Sequence, residues 1–98
     1  MSLPIIFRRV ARREFDEAAD WYEQRCPRLG MRFVAAVQHV LDEAAANSAR
    51  YPAVFGDVRE GVVRGFPYCV YYRDEGVQLL VLAVFHASRD PAIWQSRA

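Results

Sequence analysis

Residues 11–44 read ARREFDEAADWYEQRCPRLGMRFVAAVQHVLDEA, and the reading of this stretch decides the fold. Ala11, Phe15, Ala18, Ala19 and Tyr22 recur at helical spacing and form one apolar stripe, and Leu29, Phe33, Ala36, Val37, Val40, Leu41 and Ala44 form a second. Cys26-Pro27 stands between them. Proline has no amide hydrogen and clashes with the preceding turn, so it ends the first helix, while its fixed φ suits the first turn of the next. Two amphipathic helices joined by a tight turn are an αα-hairpin. On the polar face Arg12 with Asp16 and Arg13 with Glu17 are i,i+4 pairs, and acids early with Arg25 and Arg28 late suit the helix macrodipole. The first helix is expected from about Val10, although no Ser, Thr, Asp or Asn stands ready to cap it. Gly30 falls early in the second helix, where glycine costs about 1 kcal/mol relative to alanine. Close approach of the two helices is the expected compensation. The second helix should end near Asn47-Ser48, with Pro52 beyond.

Outside the hairpin the pattern is that of strands. Residues 3–8 (Leu-Pro-Ile-Ile-Phe-Arg) read as a short strand that Pro4 confines to a strand end or sheet edge. A strand is predicted over Asp57 to Arg64, and Gly65-Phe66-Pro67 then turns the chain. Tyr68-Cys69-Val70-Tyr71-Tyr72-Arg73 is rich in aromatic and branched residues and reads as a strand, with Asp74-Glu75-Gly76 as a hairpin turn. Val77 to His86 is apolar at both parities from Leu79 to Phe85, which predicts a central strand covered on both faces. Asp90-Pro91 looks like a cap followed by a first helical proline, so residues 91–97 should form a short helix. The order β-α-α-β-β-β-α implies an α+β fold: an N-terminal strand, an α-helical hairpin packed on a small antiparallel sheet, and a short C-terminal helix. With 98 residues, 53% of them apolar and 26% charged, residues 1–98 make a single domain with an ordinary globular balance.

Charge narrows the function classes. The net charge is +1, which gives no global pull toward nucleic acid or membrane. All 13 basic residues are arginine, so no lysine can serve as nucleophile, Schiff base or general base, and anion contacts fall to guanidinium or backbone groups. The longest apolar run, Leu79 to Phe85, is far short of the about 20 residues of a membrane span. Arg8 and Arg9 follow the first apolar residues, an order unlike a secretory signal, so a cytoplasmic location is expected. Cys26 and Cys69 form no CxxC pair, and two histidines and two cysteines far apart in sequence make no metal-ligand cluster; no metal is expected. No GxGxxG or P-loop pattern occurs, so no nucleotide cofactor is expected either.

His39 lies at the margin of the second stripe and reads as a surface histidine. His86 ends the central strand, on a rigid platform just where the chain leaves the sheet. Ser88 and Asp90 are too near it in sequence to converge as a triad, and no oxyanion loop is visible. Arg59, Arg64, Arg73 and Arg89 fall in the sheet half, where guanidiniums could grip phosphate, and Tyr68, Tyr71 and Tyr72 could stack on bases.

Several of these segments, taken in order, resemble the RelE/ParE toxin superfamily: Glu14-Phe15, Trp21-Tyr22-Glu23, Leu29-Gly30-x-x-Phe33, Tyr51-Pro52, Arg64-Gly65-Phe66-Pro67-Tyr68, Tyr71-Tyr72-Arg73, and Leu82-Ala83-Val84-Phe85-His86-x-x-Arg89-x-Pro91. The resemblance spans about residues 4–97. It implies the toxin of a bacterial type II toxin–antitoxin or plasmid stabilization system, held by a small cognate antitoxin. The nearly neutral but arginine-rich chain suggests an acidic, amphipathic antitoxin segment. RelE-like members of such a family cut mRNA in the ribosomal A site, whereas ParE-like members poison DNA gyrase through protein contacts. RelE-type sheets often carry an arginine inside the strand that here reads Tyr68-Cys69-Val70-Tyr71-Tyr72, and many RelE-type sites use lysine; both are missing. The resemblance therefore favours the ParE-like, gyrase-inhibiting branch. The alternatives are a ribosome-dependent mRNA endoribonuclease and an inactive interaction domain of the same fold. If the chain is a nuclease, its catalytic candidates are His86 as acid or base and Arg59, Arg64 and Arg89 as phosphate-stabilising groups.

Overall fold

A computed structural model describes residues 2–98. The chain forms β1 (Ile5–Phe7), α1 (Arg9–Arg25), α2 (Leu29–Ala46), a 3-10 turn at Ser48–Arg50, β2 (Ala53–Phe55), β3 (Val58–Val62), β4 (Tyr68–Asp74), β5 (Leu79–His86) and α3 (Ala92–Gln95). The two helices are those of the apolar stripes. Neither α1 nor α2 has a side-chain cap at its flanking residue. Glu23 takes that role for α2, because its carboxylate accepts the amides of Arg28 at 2.9 Å and Gly30 at 3.0 Å. Pro27 lies in the turn rather than in the first turn of α2, and Arg28 makes the bend in the left-handed region at φ 73°. A Cβ on Gly30 would stand 2.5 Å from the Ala19 carbonyl and 2.8 Å from Glu23 Cβ, so α1 and α2 touch backbone to side chain at that point.

The five strands lie in the order β1-β5-β4-β3-β2. Four are antiparallel neighbours, and β1 runs parallel to β5 through Ile5↔Leu79, Ile6↔Leu80 and Phe7↔Val81, so the sheet is mixed. The α+β class stands, with one parallel edge. The middle position belongs to β4; β5 lies beside it, buried on both faces as its unbroken apolar run requires. Two local differences have short-range causes. Ala53–Phe55 pairs with β3 through the tight turn at Gly56, where φ is 58°, and three residues after a proline give too little alternation to read as a strand. Asp90 does cap the C-terminal turn, its Oδ1 accepting the Ala92 amide at 3.0 Å, but α3 ends at Gln95.

The helices cover one face of the sheet. Phe33 is fully buried, with ring centroids 6.1 Å from Phe15, 5.1 Å from Phe66 and 5.0 Å from Tyr68, so the second stripe meets the first stripe and the sheet at one residue. Val37, Val40, Val70, Val81 and Val84 extend this layer. The opposite face of the sheet has its own smaller cluster of Val58, Tyr71, Leu82, Phe85 and Trp94, in which Trp94 of α3 stacks on Tyr71 at 3.9 Å.

Candidate functional site

The end of β5 is the most elaborated part of the surface. Tyr68 and His86 are cross-strand partners, with rings 5.1 Å apart edge to face. The chain turns after His86, and the Ser88 amide comes back to donate to His86 Nδ1 at 3.0 Å, with Ser88 Oγ 2.8 Å from the same nitrogen. A backbone N–H can only donate. This network therefore assigns Nδ1 as the acceptor and puts the proton of the neutral ring on Nε2. So held, His86 offers a hydrogen-bond donor at Nε2 and has no free lone pair for work as a base.

Arg89 comes next. Its guanidinium carbon lies 4.2 Å from the centre of the Phe85 ring, and Nη1 donates to Glu14 Oε2 at 2.8 Å. Glu14 reaches up from α1 with only 12% of its side chain exposed. It also accepts from Arg97 at 2.9 and 3.0 Å and from the Val84 amide at 3.1 Å. One carboxylate thus anchors two guanidiniums, and the Arg89 side chain is held in place by the fold. Between α1 and this end of the sheet runs a groove of about 490 Å³, walled by Trp21, Tyr22, Pro67 and Tyr68, with Glu17 on its rim and His86 and Arg89 at its end. Desolvation pushes the Tyr22 and Tyr68 hydroxyls above the ordinary phenol value.

The other two candidates lie elsewhere. Arg59, on β3 opposite Tyr72, donates to the Tyr51 carbonyl at 2.7 Å. Arg64 follows β3 and lines a second groove with His39, Glu43, Arg50 and Tyr51. There Glu43 accepts from Arg50 and Tyr51, both at 3.0 Å, and these two hydrogen bonds, Arg50 first, hold its carboxyl below the ordinary carboxylate value. The fold brings His86 and Arg89 together, leaves Arg59 on the Tyr51 carbonyl and sets Arg64 beside α2. On the outer sheet face Glu60 accepts from the Tyr71 hydroxyl at 2.7 Å, in a shallow site that Phe85, Trp94, His86 and Arg89 also line. Burial first, and Glu60 second, push the Tyr71 hydroxyl far up. Among the described residues no group of three or more His, Cys, Asp or Glu side chains could hold a metal ion.

Sequence reading missed the part played by Glu14. Its one local signal is position: a carboxylate on the margin of the α1 stripe, flanked by Phe15 and in register with Ala11 and Ala18.

Residues 5–91 match the family described as the ParE toxin of the type II toxin–antitoxin system parDE. The chain belongs to the ParE toxin family. Among solved structures, the fold of this ParE-family chain is similar to that of a chain from the chromosomal ParDE TA system from P. aeruginosa, with a TM-score of 0.74 and 15% sequence identity over 89% of this chain and 98% of that one. No curated protein matches the sequence. At that identity the structural likeness speaks for the ParE-family fold alone. It covers nearly the whole of the strand, hairpin and sheet arrangement described above. Among the described residues of this ParE-family chain, no helix is long and apolar enough to cross a membrane.

Proposed function

We propose that this ParE-family toxin inhibits growth by binding DNA gyrase in the cytoplasm, without cutting RNA, and that a small cognate antitoxin neutralises it. The observation that carries the non-catalytic reading is the dispersal of the acid–base and phosphate-binding candidates. Phosphodiester cleavage needs a proton-transfer group and uncompensated positive charge within reach of one phosphate. His86 has Nδ1 tied to Ser88, Arg89 is tied to Glu14, Arg59 is bonded to the Tyr51 carbonyl, and Arg64 stands beside α2. No lysine supplements them. A protein inhibitor needs none of these groups to converge, only a surface.

The test pairs two assays on the wild-type chain and on His86→Gln. Purified wild-type protein should trap gyrase on DNA and leave ribosome-bound mRNA intact, induced cells should filament and show DNA damage, and the product of the adjacent gene should relieve the toxicity. Loss at the gyrase target should be spread over several surface residues, with His86→Gln a small contributor. Removing a true acid–base group lowers a rate by about 10²–10⁴-fold. Codon-specific mRNA cuts by wild type that disappear in His86→Gln would overturn the proposal in favour of a ribosome-dependent nuclease.

A further inference from the structure

The start of α1 breaks the rule that its far end obeys. Arg25 stands in the last turn, where the negative end of the helix dipole favours a cation. The first turn holds no acid, the residue before it makes no side-chain cap, and Arg8, Arg9, Arg12 and Arg13 crowd the end that a cation destabilises. Arg9, Arg12 and Arg13 stand at i, i+3 and i+4, so they share one face of the helix, and like charges at that spacing repel. All four arginines are exposed. Among the described residues only Arg12 has an ion-pair partner, Asp16 at 3.3 Å, and both of those side chains are 58% exposed. Other nearby acids are engaged elsewhere: Glu14 by Arg89 and Arg97, and, near the end of α2, Asp42 by Gln38 and Glu43 by Arg50 and Tyr51. A charge cluster that costs the fold stability and gains almost no internal contact marks a surface that acts on something outside the chain.

We propose that Arg8, Arg9, Arg12 and Arg13 form a contact surface for the phosphate backbone of duplex DNA. Each guanidinium is a rigid fork that fits phosphate oxygens, and a duplex offers one negative charge per about 1.7 Å of its axis, a density that suits cations clustered within a turn. Arg12 is already positioned, its guanidinium carbon 5.3 Å from the centre of the Phe7 ring and 5.5 Å from that of Phe15. The cluster lacks the apolar anchors that fix a protein partner. Phe15 is buried, Phe7 lies under Arg12, and Ile6 alternates to the other face of the sheet. The exposed apolar residues of the hairpin, Met31 and Val34, belong to the early part of α2. Asp16 and Asp20, one and two turns further along α1, repel phosphate and confine the footprint to the first turns. With a net charge of +1 the chain has no long-range pull, so the contact is local and weak. Its use in the cell rests on the gyrase reading, since gyrase holds a duplex for this face to lie on, whereas the contact with DNA itself does not.

The probe is a short labelled duplex titrated with the purified chain, without gyrase, and followed by fluorescence anisotropy at several salt concentrations. Neutralising about three or four phosphates should make the affinity fall by roughly 40–150-fold between about 50 and 200 mM salt. Arg13→Gln should lower the slope of log affinity against log salt by about 1, and Arg9→Gln with Arg13→Gln by about 2. The thermal midpoint of the double variant should stay or rise, because a repulsive pair has gone. Arg32→Gln, an exposed arginine on α2, should leave the slope unchanged. Absence of saturable binding, an unchanged slope in the double variant, a fall in its thermal midpoint, or an equal effect of Arg32→Gln would each overturn the proposal. So would an acidic peptide of the same charge that displaces the duplex at equal concentration, which would assign the cluster to protein carboxylates, or a single-stranded RNA that binds as tightly as the duplex. A chain that traps gyrase but binds no DNA alone overturns this surface and leaves the proposed target standing; a chain that binds DNA through these arginines and traps no gyrase supports the surface and removes the target.

Discussion

Phe33 is the residue through which the hairpin and the sheet share one core. It is fully buried and lies in edge or tilted contact with Phe15, Tyr22, Phe66 and Tyr68, drawn from both layers. Phe33→Ala removes a ring that no neighbour can replace, and a loss of about 3–5 kcal/mol is expected, a large part of the about 5–15 kcal/mol typical of a small domain. Urea denaturation measures it; a loss below about 1 kcal/mol would show that the site collapses around the deletion. This residue was legible in the sequence because it lies mid-stripe in a helix whose period is kept over several turns. Glu14 was not. Its three kinds of partner stand 70, 75 and 83 positions away in sequence, and no local pattern encodes a contact closed only by the whole fold. The same limit applies to His86: its place at a strand end could be read, but its tautomer depends on the turn that brings the Ser88 amide back to Nδ1.

At the scale of elements, the contact between α1 and α2 rests on the absence of a side chain at position 30. Gly30→Ala places a methyl 2.5 Å from the Ala19 carbonyl and 2.8 Å from Glu23 Cβ. The helices must then separate, and Glu23 must release one or both of the amides it caps. Alanine has the better helix propensity by about 1 kcal/mol, so an isolated helix would gain from the change. In this fold the overpacking cost of about 1–3 kcal/mol and the weakened cap should prevail. A lowered denaturation midpoint is expected, and a raised midpoint would mean that the helices do not meet at this point. Glycine in the stripe announced the close approach, whereas the direction of β1 had no comparable signal. Alternation of side chains reports which face is buried and is silent on whether the neighbour runs parallel or antiparallel. β2 escaped for a different reason, since Ala53–Phe55 has too few residues to show any period.

For the whole molecule, the five tyrosines set the response to alkali. Tyr22, Tyr51, Tyr68, Tyr71 and Tyr72 all have hydroxyls pushed above the ordinary phenol value of 10.0, in each case first by burial. A phenol whose folded-state pKa exceeds its unfolded value holds its proton more tightly in the folded chain. Its contribution to stability is complete below the unfolded value and is lost as pH rises through the folded one. Stability should therefore be insensitive to these groups at neutral pH and fall above about pH 10. Thermal melts between pH 8 and 11, read beside tyrosinate absorbance, check this; ionisation of all five at the ordinary phenol value in the folded state would contradict it. The mixed sheet has its own consequence in time. Ile5–Phe7 bonds to Leu79–Val81, so the first strand made is completed by the last. The hairpin depends on near-neighbour contacts and can form on a nascent chain. The edge of the sheet and the Glu14–Arg97 pair wait until translation has delivered β5 and the tail behind it. A ribosome that stalls before Leu79 therefore carries a helical pair without the strand that both β1 and Glu14 bond to, so the shape described here arises only after β5 has been made.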